Sequence, residues 1–149
     1  MTSSWKDAVK QGDLETIKKY LKDGKDPSEY NNSAIKRASA EGHVEVVNLL
    51  LDDERVDPSA GENDAIRLAS QNGHVEVVKV LLDDERVDPS ADNNHAIEMA
   101  SRNGRVEVVK VLLNDERVDP GAADNLAIRN ASKNGHIEVV KLLLGHKTE

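Results

Sequence analysis

Three histidines, His43, His74 and His136, occupy equivalent surroundings. Two of them sit in a recurring set with a serine and an aspartate: Ser39, His43 and Asp52, then Ser70, His74 and Asp83. Serine, histidine and aspartate are the types that make a nucleophile, its general base and the acid that orients the base. Imidazoles are also the commonest protein ligands for transition metals. Both readings fail on the repetition itself. A nucleophilic centre copied with each structural unit is not how a single active site is built, and nothing marks a pocket around it. Histidines carried on neighbouring packed helices stand about 8–10 Å apart, whereas ligands to one zinc ion lie about 2.0–2.1 Å from it. The chain has no cysteine. It also has no Walker loop, no dinucleotide glycine pattern, no His-Glu-x-x-His and no calcium-loop spacing. The sequence therefore predicts no enzyme, no catalytic residue, no metal and no cofactor. The acidic runs Asp52-Asp53-Glu54, Asp83-Asp84-Glu85 and Asp115-Glu116 fall near helix ends, where acids oppose the helix dipole. They read as solubilising charge, with attraction of a basic partner as the other reading. The sequons Asn31-Asn32-Ser33 and Asn130-Ala131-Ser132 read as chance matches.

The elements that position these residues recur every 31 residues. Asp-Pro stands at Asp26-Pro27, Asp57-Pro58, Asp88-Pro89 and Asp119-Pro120, and Gly42, Gly73, Gly104 and Gly135 keep the same step, as do Asn32, Asn63, Asn94 and Asn125. A fixed period of this size signals a stacked array rather than a globule around one core. Each unit reads as loop, helix, turn, helix. Asn32 is expected as an N-cap, with a first helix from about Ser33 to Glu41. Gly42 ends it in the left-handed conformation, and a second helix runs from about His43 to Asp52.

Helical angles separate the faces. At about 100° per residue, the positions that stay the same between copies (Ala34, Ile35, Ala38, Ser39) share one side of the first helix. Those that change (Ser33, Lys36, Arg37, Ala40, Glu41) share the other. On the second helix Val44, Val46, Val47, Leu49, Leu50 and Leu51 leave only the stripe Glu45, Asn48, Asp52 polar. So wide an apolar surface needs cover on both flanks, and adjoining units can supply it.

The run Ala38-Ser39-Ala40-Glu41-Gly42-His43-Val44-Glu45-Val46-Val47-Asn48-Leu49-Leu50 recurs at Ala69–Leu81, Ala100–Leu112 (with Arg105 for His) and Ala131–Leu143. It resembles the heart of the ankyrin repeat, Ala-Ala-x-x-Gly-His-x-x-Val-Val-x-x-Leu-Leu. The resemblance implies an all-α solenoid of stacked helix-turn-helix units joined by short fingers. Residues 1–25 are then an N-terminal capping repeat, 26–56, 57–87 and 88–118 are internal repeats, and 119–149 is the C-terminal repeat. The period falls short of the usual value of about 33, and the family's Thr-Pro-Leu-His opening is replaced by Ser33-Ala34-Ile35-Lys36 and its counterparts. The fingers are accordingly expected to be short turns.

In the first unit Trp5 takes the register of Ile35, which predicts a core tryptophan, while Thr16 and Lys19 replace the apolar residues at Val46 and Leu49, as a terminal cap requires. The last unit keeps Ile137, Val140 and Leu144 on its outward flank, predicting a partly exposed apolar end on an otherwise monomeric chain; cover by the tail and side-chain movement is one reading, and joining of a second copy, or continuation in a longer array, is the other. A formal charge of −8 disfavours nucleic acid, and no apolar run reaches the roughly 20 residues of a membrane span. With no targeting signal, a cytoplasmic or nuclear location is expected.

The resemblance implies a protein partner bound through the concave side, formed by fingers and first helices. Variation within the chain points to the same face. At the finger it gives Tyr30 and Asp92, then Glu62 and Asp124. On the first helix it gives Ser33, Asp64, His95 and Leu126, together with Arg37. At the helix end it gives Gln71, Arg102 and Lys133. These are the expected partner-binding residues of a non-enzymatic protein–protein interaction scaffold. The competing reading is a consensus-type engineered array without a natural partner, because Val75–Arg86 and Val106–Arg117 are nearly identical.

Overall fold

The computed structural model describes residues 3–146, which form ten α-helices and, among the described residues, no strand. They run α1 Trp5–Gln11, α2 Leu14–Lys22, α3 Glu29–Glu41, α4 Val44–Leu51, α5 Ala60–Asn72, α6 Val75–Leu82, α7 Ala91–Arg102, α8 Val106–Leu113, α9 Ala122–Lys133 and α10 Ile137–Gly145. Odd-numbered helices pack on odd and even on even. Every substantial helix contact joins members of one pair or of adjoining pairs. This is the linear, nearest-neighbour layout of a solenoid.

The core follows the predicted angles. Ala34, Ile35, Ala38 and Ser39 are all buried, as are Val46, Val47 and Leu50, and the pattern repeats through Val77, Val78, Leu81, Val108, Val109 and Leu112. Alanine along the first helices lets neighbouring backbones approach closely, and the branched residues of the second helices fill each layer. Large rings are not needed. Trp5 departs from expectation. It is only part-buried, and it packs edge-on against Tyr20 at 5.8 Å.

Each first helix ends as its glycine dictates. Gly42 has φ 80°, its N–H donates to the Ser39 carbonyl at 3.2 Å, and the His43 N–H donates to the Ala38 carbonyl at 3.0 Å. This is the paired closure that left-handed glycine allows. The regular first helix runs from Ser33 to Glu41, as expected, but a further turn precedes it. Helical turns begin as early as Glu29 in α3, and a left-handed turn interrupts them at Tyr30, Asn31 and Asn32 (φ 54°, 54°, 62°). Asp92-Asn93-Asn94 and Ala123-Asp124-Asn125 do the same, while α5 bends through Gly61, Glu62 and Asn63. These short turns take the place of projecting fingers.

Asn32 is therefore not an N-cap. Its own backbone is left-handed, a region asparagine tolerates better than most residues. Its side-chain oxygen reaches the next unit, accepting the Asp57 N–H at 2.8 Å. Asn63 and Asn94 accept from Asp88 and Asp119 at the same distance.

Candidate functional site

Several of the recurring polar residues tie neighbouring units together. The His43 Nε2 lies 2.7 Å from the Lys10 carbonyl oxygen at the end of the preceding first helix. Arg105, which replaces histidine at this register, donates from Nε to the equivalent Gln71 carbonyl at 3.0 Å. Asn72, Asn103 and Asn134 donate to the carbonyls of Ala40, Gln71 and Arg102 at 2.9, 3.1 and 2.9 Å. The glycine of the preceding turn makes room for the ring: a Cβ on Gly42 would stand 2.5 Å from the His74 Nδ1. The serine of the apparent triad is shut away from any base. Ser39 is fully buried and its hydroxyl has no hydrogen-bond partner, as is true of Ser70 and Ser101.

The acidic runs need a correction. One aspartate in each run is not free solubilising charge. Asp53 accepts from the Arg55 N–H and Nε at 3.0 Å each, and from Nη2 at 2.8 Å. Arg86 and Arg117 hold Asp84 and Asp115 in the same way, and reach back from Nη1 to the Val56 and Val87 carbonyls at 2.8 and 2.9 Å. The arginine side chain, with help from its N–H, holds each aspartate below the ordinary carboxylate range, and each arginine is raised in turn. The outer acids Asp52, Glu54, Asp83 and Glu85 stay exposed.

The variable face of the first helices is largely open to solvent. Tyr30, Ser33, Arg37, Glu62, Asp92, Arg102, Asp124 and Lys133 are exposed, and Asp64, Gln71, His95 and Leu126 are half-buried. The first helices bring some of these together. A hollow of about 810 Å³ crosses α1, α3 and α5, lined by Tyr30, Ser33 and Arg37 together with Trp5, Lys6 and Leu68. A smaller cleft of about 190 Å³ between α7 and α9 gathers Asp92, His95 and Leu126 around Glu98 and Pro120. There the His95 Nδ1 lies 3.1 Å from Asp92 Oδ2. Asp64 is partly committed inside the stack, 3.4 Å from Lys36 and 3.3 Å from Arg67. Burial raises its carboxyl, but the two cations, Arg67 above all, outweigh that and hold it low. Glu62, Gln71, Arg102, Asp124 and Lys133 line neither hollow.

Sequence reasoning missed Trp5 and Lys6 as lining residues, because Trp5 was assigned to the core by register. It missed the aspartate–arginine clasp although the signal was present: Asp53, Asp84 and Asp115 each precede an arginine by two residues in every internal copy.

No curated protein matches the sequence. The family model for ankyrin repeats in three copies matches residues 6–93 and again residues 66–149, covering nearly the whole stack. With that match added to the paired helices, the glycine turns and the inter-unit ties, the chain belongs to the ankyrin-repeat family.

Proposed function

We propose that this chain is a non-enzymatic scaffold that binds a protein partner through the face formed by its first helices and the short turns that precede them. Ankyrin repeats serve in general as protein–protein interaction modules, and the reading for this chain rests chiefly on one observation. Its first helices keep one face the same from copy to copy, Ala34, Ile35, Ala38, Ser39 and their counterparts, which is buried, and change along the other, which faces outward. A binding surface needs that freedom; a packed face does not. The hollows between first helices give such a partner concave places to seat side chains. The working unit is a single chain in a cytoplasmic or nuclear setting. Its C-terminal flank, Ile137, Val140 and Leu144, is where a second copy would join at high concentration, and sedimentation across concentrations reads that directly.

The test is crosslinking of partners captured by the full chain, followed by His95→Ala and Arg102→Ala. Crosslinks should fall on the first-helix face, and the double variant should weaken capture about tenfold with no change in melting. Unchanged capture, or crosslinks confined to Glu45, Glu76 and Glu107 on the second helices, would move the site to the other side. A second reading, an engineered consensus array without a natural ligand, is favoured by the near identity of Val75–Arg86 and Val106–Arg117. It predicts unusual thermal stability and no specific, competable capture.

A further inference from the structure

We propose that the hollow across α1, α3 and α5 receives an acidic segment of the protein partner, an apolar side chain flanked by aspartate or glutamate; this rests on the first-helix face being the binding face. The charge distribution comes first. The chain carries a net −8, yet residues 1–25 hold six lysines against four carboxylates. Three cations, Lys6, Lys36 and Arg37, line the hollow against one carboxylate, Glu41. Lys36 is occupied by Asp64 at 3.4 Å, its side chain only 19% exposed. Arg37 meets Glu41 at 3.2 Å with both side chains about 40% exposed, and a pair that open to water is weak enough for an incoming carboxylate to compete with. Lys6 is exposed and has no ion-pair partner among the described residues.

The apolar part is equally specific. Trp5, Val9, Ala34, Ala40 and Leu68 form the lining. A volume of about 810 Å³ lies within the ~300–1,000 Å³ range of ligand clefts. Tyr30 stands at its rim, 86% exposed. It also sits at φ 54°, where a bulky side chain is disfavoured. Core packing does not explain that placement, whereas tyrosine and tryptophan are what protein interfaces enrich. The other cleft has the opposite character. It holds Asp92, Glu98 and Asp119, and one oxygen of Glu98 is buried without a partner. An acidic segment is repelled there and drawn to the N-terminal end.

Panning random peptides displayed on phage against the full chain reads this directly. The expected consensus is an aromatic or aliphatic residue beside two or more carboxylates. Selected peptides should lose about tenfold or more in affinity on the variant Tyr30→Ala/Arg37→Glu, whose melting curve should match that of the parent. A consensus rich in lysine or arginine, one without charge, or no consensus at all overturns the proposal. An acidic consensus that ignores Tyr30→Ala/Arg37→Glu but is lost on His95→Ala/Arg102→Ala overturns the hollow while leaving the first-helix face standing. Peptides insensitive to both variants, and blocked by substitutions at Glu45 and Glu76, bring down the face as well.

Discussion

Asn94 does two things at one position: it holds a left-handed backbone at φ 62°, and its side chain takes the Asp119 N–H at 2.8 Å. Replacing it separates the two effects. Asn94→Ala should lose both and cost about 1–3 kcal/mol by urea unfolding, while Asn94→Gly restores the backbone and should recover part of that. Equal losses would mean the backbone preference contributes nothing. The buried serines point the other way. Ser39, Ser70 and Ser101 are fully buried with hydroxyls that meet no partner, and a buried hydroxyl left unpaired is costly. Ser70→Ala should be neutral or stabilising by up to about 1 kcal/mol; a clear loss of stability would show that the hydroxyl is bonded. The glycine and alanine positions were legible from sequence because each has one physical reason to be there. Asn32 was not, since asparagine suits both an N-cap and a left-handed turn, and only the path of the neighbouring loop decides between them.

At the scale of elements, the loops between units are fastened by charge. Asp53, Asp84 and Asp115 are held below their ordinary range chiefly by the side chains of Arg55, Arg86 and Arg117. A folded-state carboxyl lowered in this way adds stability that is present above the unfolded value of about 3.9 and is lost as pH falls through the folded value. The melting temperature should therefore change little from neutral pH to about pH 5 and drop below about pH 4. In Asp53→Asn/Asp84→Asn/Asp115→Asn it should start lower and fall less, as circular dichroism across pH would show. An undiminished acid slope in that variant would place the sensitivity elsewhere. The turns give a steric counterpart. Gly42→Ala must hold φ 80° with a Cβ pressed on the His74 ring, and should cost more than the roughly 1 kcal/mol that glycine normally gives up to alanine. Helix positions were legible because apolar spacing and glycine stops agree. The clasp left a signal, an arginine two residues after each aspartate, but the spacing alone does not say that the loop folds the two side chains together.

Over the whole molecule the two ends differ. Thr16 and Lys19 make the first unit polar where later units are apolar. At the other end Ile137 and Leu144 are 66% and 68% exposed, although Val44, Val75 and Val106, and likewise Leu51, Leu82 and Leu113, are part-buried in the same registers. The expectation from sequence of an open C-terminal flank is met among the described residues. Leu144→Lys should accordingly cost several-fold less stability than Leu82→Lys, a graded penalty that follows from neighbour-only stacking. Stacking was readable from sequence because each layer repeats its apolar flanks, whereas the hollow depends on how side chains of three first helices, α1, α3 and α5, meet across the face. The central claim is that these layers advance in one direction and present their first helices on one side. The absence of cysteine lets spin labels be placed at will on Glu45, Glu76, Glu107 and Glu138. Distances from the first of these should lengthen at each step by about 8–10 Å; a distance that shortens or stalls as the units separate would contradict the stack.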